Sequence, residues 1–211
     1  MSQPVQDVAS ASSRRDGDRK GEWRRSAETR RAVLDAARRL FGSNGYEGTS
    51  IDDIVRESGV SVGSIYHQFG GKSEVFMTLV ESALARHSEV SARETRRAIN
   101  AGETDPLRIY IAGAKAYLME TWKQRDLDRI SFAEDGPPGF ATFLRERHAR
   151  YLRGSRGLTI GKPPLPDSTA HALTALLLAA ATQLVDVNDR RTAKAVVDYF
   201  TNLILRMGDQ D

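Results

Sequence analysis

The side chains with most chemical potential in this 211-residue chain lie between Ser61 and Gln68, where two hydroxyls, a phenol, an imidazole and a carboxamide occur with no long charged group among them. Ser61, Ser64, Tyr66, His67 and Gln68 can hydrogen-bond phosphate oxygens and base edges. Gly63 permits close backbone approach, and Val62 offers an apolar contact, a set suited to a helix pressed into a DNA major groove. Catalytic patterns are missing by comparison. His67, His87, His148 and His171 are scattered, with no HExxH and no i, i+4 histidine pair to hold a metal. There is no P-loop, no GxGxxG after a strand and no GxSxG elbow. The carboxylate pairs Asp126 with Asp128 and Glu134 with Asp135 have spacings that do not share a helix face, and they read as solvated. The residues point to a binding protein, not an enzyme, that needs no cofactor and no metal.

Two short helices must position that polar face. Ser50, three residues ahead of Asp53, is a capping-box start, and Ile51, Ile54, Val55 and Ser58 then form one narrow face. Gly59 suits the left-handed end of that helix, Val60 plugs the turn, and Ser61 caps the next helix, whose inward face is Ile65 and Phe69. Two helices joined by a Gly-containing turn, with a small polar outer face, are the features of a DNA-reading helix-turn-helix. An amphipathic helix over residues 26–43, with Val33, Ala37, Leu40 and Phe41 inward, completes a three-helix unit.

The segments TRRAVLDAARRLFGSNGYEGTS and GVSVGSIYHQF, followed by Lys72, closely resemble the N-terminal domain of the tetracycline-repressor (TetR) family of bacterial transcription regulators. The resemblance covers residues 29–84. It departs from the family pattern at His67 and Gln68, where an aromatic residue and then a histidine usually follow the tyrosine, and at Gly70, where a basic or polar residue is usual. It implies an all-α protein with an N-terminal helix-turn-helix domain and a C-terminal helical domain for ligand binding and dimerisation. The implied activity is sequence-specific DNA binding, as a repressor released by a small molecule. The candidate DNA contacts are Thr49, Ser50, Ser61, Val62, Gly63, Ser64, Tyr66, His67 and Gln68. To these the resemblance adds Lys72, holding a phosphate from a helix N-terminus.

Composition sets outer bounds. With 40% hydrophobic residues the chain can build an ordinary soluble core. The absence of cysteine fits a reducing cytoplasm. The N-terminus has no apolar signal region, and the longest apolar run, residues 175–181, is far short of the roughly 20 residues that span a membrane. The net charge of +3 is confined to residues 1–31, which hold eight Lys/Arg against five Asp/Glu, so bulk basicity is weak support for DNA binding. Residues 1–21 lack apolar periodicity and read as a disordered basic arm. Its Arg14, Arg15, Arg19 and Lys20, followed by Arg24 and Arg25, could trail along phosphates or into a minor groove.

The remaining pattern is helical throughout, with about nine helices in all. Residues 22–71 are expected to be the DNA-binding domain. Residues 72–100 form a connecting fourth helix with Phe76, Leu79, Val80, Ala83, Leu84 and His87 along one stripe, and residues 101–211 form the ligand-binding and dimerisation domain. Asp105 and Pro106 open a fifth helix, a short helix covers residues 126–134, and residues 153–166 read as a Gly/Pro loop. Large apolar groups with a few polar ones interspersed make Tyr110, Ala114, Tyr117, Trp122, Arg129, Phe132, Phe140, Phe143, His148 and Tyr151 the candidate pocket for a largely apolar effector. The Ala/Leu-rich helix from Asp167 has too many apolar positions for one core-facing stripe. A second buried face, which the resemblance assigns to a homodimer interface, is expected at Leu173, Leu177, Ala180, Leu184, Val197, Phe200 and Ile204. A dimer demands a pseudo-palindromic operator in double-stranded DNA. The alternative reading is a helical small-molecule-binding protein that no longer reads DNA.

Overall fold

The computed structural model describes residues 6–132, 135–155 and 167–208, which contain nine helices and no strand. The elements are α1 (Gln6–Asn44), α2 (Ile51–Ser58), α3 (Val62–Phe69), α4 (Lys72–Asn100), α5 (Pro106–Lys123), α6 (Arg125–Phe132), α7 (Phe140–Ser155), α8 (Asp167–Leu184) and α9 (Arg190–Gly208). The expected all-α class is what the chain adopts. Among the described residues no helix is long and apolar enough to cross a membrane.

Local chemistry fixes the helix ends. The Ser50 hydroxyl accepts from the Asp53 amide at 3.1 Å and the Asp53 carboxylate accepts from the Ser50 amide at 2.9 Å, a complete capping box. Gly59 then ends α2 at φ 69°, and Ser61 caps α3 through the Ser64 amide at 3.3 Å. Asp105 accepts from the Leu107 amide at 2.8 Å to open α5, and Asp189 accepts from the Thr192 amide at 2.9 Å to open α9.

The start of α1 differs from expectation. The helix begins at Gln6, not near residue 26, so the stretch read as a disordered arm is helical from there on. Once packing against α2 and α4 has nucleated the C-terminal half of α1, each further residue adds one hydrogen bond, and residues 6–25 contribute five arginines, which favour helix. Residues 1–5 lie outside the described set.

Two cores organise the body. The first joins Val33, Ala37 and Phe41 of α1, Ile54 of α2, Ile65 of α3 and Val75, Phe76, Leu79 and Val80 of α4. It also takes in Leu127 and Ile130 of α6 and Phe140 of α7, so elements far downstream in sequence complete the packing of the helix-turn-helix unit. Phe76 is its centre, edge-on to Phe41, Tyr46 and Phe140 with centroids 5.2, 5.0 and 5.1 Å away. The second core packs α5 (Leu107, Ile111, Leu118) against α8 (Leu173, Leu177, Leu184) and α9 (Val197, Ile204). The long α4 lies along α5. Their approach depends on Gly113, where a Cβ would come within 2.5 Å of Thr95 Oγ1 and 3.0 Å of Ser91 Oγ.

Candidate nucleic-acid interface and internal cavity

α3 is an amphipathic helix with one buried side and one bare side. Ile65 is fully buried and Phe69 packs on the first core, while Ser61, Val62, Gly63, Tyr66 and His67 are exposed. Val62 and Tyr66 are 46% and 54% exposed, unusual for large apolar groups on so short an element. A Cβ added at Gly63 would meet nothing within 4 Å, so the helix surface there is open to a close approach. Ser64 is half-buried, its hydroxyl 3.0 Å from that of Ser61.

Gln68 points elsewhere. It is half-buried beside α1, and Gln68, His67, Arg25, Ser26, Thr29 and Arg30 line a shallow basic cleft between α1 and α3. Arg30 forms one wall, its guanidinium 4.4 Å from the Phe69 ring centroid and its Nη1 3.4 Å from the Gln68 carbonyl. Arg25, which the sequence assigned to a trailing arm, thus stands next to the exposed face of α3.

Two expected DNA contacts face inward. Thr49 is 1% exposed and its hydroxyl donates to the Gly45 carbonyl at 2.8 Å, closing the turn before α2. Lys72 directs its ammonium to the carbonyls of Tyr46 and Thr49, at 2.9 and 3.0 Å, and sits 4.0 Å from the Tyr46 ring centroid. An ammonium has three protons and no acceptor role, and two of those protons satisfy carbonyls of the α1–α2 loop. Lys72 therefore fastens that loop to the first turn of α4. Ser50 is exposed but belongs to the capping box, whose hydroxyl and amide hold the Asp53 carboxyl below its usual range.

A cavity of about 330 Å³ lies in the body, bounded by Leu84 of α4, Tyr117 of α5, Asp128, Ser131 and Phe132 of α6, Leu144, Arg145 and Arg147 of α7, and Thr174, Leu177, Leu178 and Thr182 of α8. Tyr117 and Phe132 are the pocket candidates that line it. Tyr110 and Ala114 are buried in the second core, and Phe140 and Phe143 stack on each other against the first. Trp122 donates from Nε1 to the Val187 carbonyl at 3.0 Å. Arg129 donates to the Val185 carbonyl at 2.6 Å and lies 3.3 Å from Asp186, pinning α6 to the end of α8. The side chains of His148 and Tyr151 lie outside the described residues.

The carboxylates read as solvated have specific partners. Asp128 is 4% exposed and its Oδ2 lies 3.1 Å from Nε2 of His87, itself 1% exposed and tilted against Tyr117. Burial pushes the Asp128 carboxyl up, against the pull of His87. Asp126 forms a two-bond pair with Arg38 of α1, and Asp135 accepts from the Tyr46 amide at 2.7 Å. Glu134 lies outside the described residues. The spacing held the signal: residues two apart on a helix project about 200° from each other, so each can meet a different neighbour.

The expected dimer face is also turned inward. Leu173, Leu177, Ala180 and Leu184 of α8 and Val197 and Ile204 of α9 are buried within the chain, and Phe200 packs partly buried beside them. The apolar stripe is satisfied by α5. What α8 and α9 leave in solvent is a different set: His171, Ala175, Ala179, Thr182 and Gln183 on one helix, and on the other Arg190, Arg191, Thr192 and Lys194 at its start followed by Ala195, Tyr199, Asn202 and Arg206.

A capped two-helix reader, braced by α1 and α4 and continuous with a two-core helical body, defines a helix-turn-helix protein. Residues 33–78 match the family model for bacterial regulatory proteins of the tetR family. It is similar to the transcriptional repressor AcnR of Corynebacterium glutamicum, with 39% identity over 62 residues, 29% of this chain and 33% of that one. It is also similar to the transcriptional regulator HbdR of an Aromatoleum species, with 29% identity over 133 residues, 63% of this chain and 50% of that one. The chain thus spans about a third to a half of the length of these curated relatives. The fold is shared with a TetR-like regulator from Rhodococcus sp. RHA1, at TM-score 0.67 and 20% identity over 87% of this chain and 97% of that one.

Proposed function

We propose that the protein is a DNA-binding transcription regulator, a cytoplasmic repressor without catalytic activity, released from its operator by a small molecule. The observation that carries this reading is the bare outer face of α3: hydroxyl, imidazole and phenol groups beside an open glycine, on a helix whose position is fixed entirely from its other side. Ser61, Val62, Gly63, Tyr66 and His67 are its contacts to double-stranded DNA. Arg25 and Arg30 flank them on the phosphates, the role the resemblance gave to Lys72.

The functional unit is a homodimer on a pseudo-palindromic site. Its contact surface is the exposed stripe of α8 and α9, supported by Ala175 and Ala179 in solvent without a charged neighbour on the α8 stripe and by Tyr199 at 66% exposure. Fluorescence anisotropy with the DNA flanking the protein's own gene tests the reading. Saturable binding that competitor DNA of random sequence does not displace is the expected result, and binding indifferent to sequence refutes it.

A further inference from the structure

The cavity floor carries a buried acceptor that the fold itself does not satisfy. Oδ2 of Asp128 is shielded from solvent, and among the described residues its partner is His87 Nε2, an ion-pair contact at 3.1 Å that does not complete a hydrogen bond to it. Nδ1 and Nε2 of His87 are likewise buried without a hydrogen bond. A carboxylate can accept about four hydrogen bonds, and a buried one left short of donors costs free energy that an incoming donor recovers. Around it the wall is mostly apolar, formed by Leu84, Tyr117, Phe132, Leu144, Leu177 and Leu178, with the hydroxyl residues Ser131, Thr174 and Thr182 among them.

Charge selects among donors. Arg145 and Arg147 of α7 line the same cavity, and the positive charge of Arg147 already acts on Asp128. A cationic ligand would enter against both guanidiniums, and an anion would have to sit beside the Asp128 carboxylate. At about 330 Å³ the space lies near the lower end of ligand-site volumes, roughly 300 to 1,000 Å³, and suits a one- or two-ring molecule.

We propose that the cavity recognises a small, uncharged, largely apolar molecule bearing a hydroxyl or comparable neutral donor, and that the donor is delivered to Asp128. The inference rests on the proposed release by a small molecule: it places that molecule in this cavity and names its class.

Calorimetry on the full chain without DNA tests it with four probes of one shape: 2-naphthol, 2-methoxynaphthalene, 2-naphthoate and 2-naphthylmethylammonium. The naphthol should bind tightest, about tenfold or more above its methyl ether, since a hydrogen bond to a carboxylate is worth at least that factor. Asp128→Asn keeps the shape but replaces the charged acceptor by a neutral one, and it should narrow the ratio. Equal binding of naphthol and ether by the native chain overturns the proposal, as does a preference for either charged probe, an undiminished ratio in Asp128→Asn, or no binding by any probe. The native ratio is decisive even if the variant does not fold. Operator affinity with and without naphthol is measured separately: a native chain that prefers naphthol but binds DNA equally in its presence keeps this inference and loses only the release mechanism.

Discussion

Arg38 of α1 and Asp126 of α6 meet as a planar pair across 88 residues of sequence, with Nε 2.6 Å from Oδ2 and Nη2 2.8 Å from Oδ1. Two parallel bonds fix orientation as well as distance. The helix-turn-helix unit is therefore tied to the body by α6 as well as by the continuous α4. Two residues along, Asp128 of the same helix forms the cavity floor.

Both partners of this pair are more than a third exposed, so Arg38→Met should lower the unfolding free energy by only about 1 kcal/mol. Burial acts to raise the Asp126 carboxyl, but the Arg38 hydrogen bond and charge outweigh it and hold the group below its ordinary value of 3.8. A depressed folded-state pKa stabilises above the unfolded value and is lost as pH falls through the folded one. The difference between native and Arg38→Met chains in urea melts should therefore be constant from about pH 7 to 5 and shrink below about 4. A difference that grows on acidification contradicts the assignment. In the same variant, naphthol should still bind while its effect on operator affinity falls.

Lys72 and Tyr66 should separate stability from recognition. Lys72→Ala strips the donor from two loop carbonyls and should cost about 1 to 3 kcal/mol in urea melts. Tyr66→Phe should leave the melt unchanged and weaken operator binding, because its hydroxyl lies on the exposed face. Arg25→Ala should lower the slope of log affinity against log salt by about one, the signature of a lost phosphate contact. A stable Lys72→Ala protein with a reduced salt slope would return the phosphate role to Lys72.

Exchanges at Val62 or His67 should change which operator is preferred while leaving the unfolding midpoint in place, as read by selection of bound sequences from a random pool. Ile65→Ala, on the opposite side of the same helix, should instead destabilise by about 2 to 5 kcal/mol.

Assembly gives a sharper contrast. Ala175→Glu or Ala179→Glu should yield a folded monomer by sedimentation, with operator affinity reduced. Leu177→Glu should unfold the second core outright, since that side chain is already enclosed by its own chain. A dimer that survives both alanine changes moves the interface elsewhere.

The caps and stripes of α2 and α3 were legible because they are local: Ser50, Asp53, Gly59 and Ser61 act within four residues of themselves. What was not legible depended on partners distant in sequence. Asp126, Asp128 and Asp135 read as solvated because nothing near them announces Arg38, His87 or the Tyr46 amide. Aromatics betray burial but not address, so Phe140 was read as lining a ligand pocket, whereas it packs in the first core. The stripe on α8 was recognised as apolar, yet periodicity alone could not say whether α5 or a second chain covers it.

The corner between α3 and α4 bears on how such a protein diverges. Gly70 stands at φ 102°, where a side chain is strained and its Cβ would meet Glu74 Cγ at 3.3 Å, and the buried Gly71 follows at φ 155°. The angle at which the reading helix leaves the body is thus held by the backbone and by Ile65, not by the residues that read. Under the proposed function, Val62, Tyr66 or His67 can be exchanged singly with each intermediate still folding, which would make new operator preferences reachable by single steps. A side chain at Gly70 would strain the corner and crowd Glu74, so a change there shifts the mount, whereas changes on the face it carries leave the mount in place.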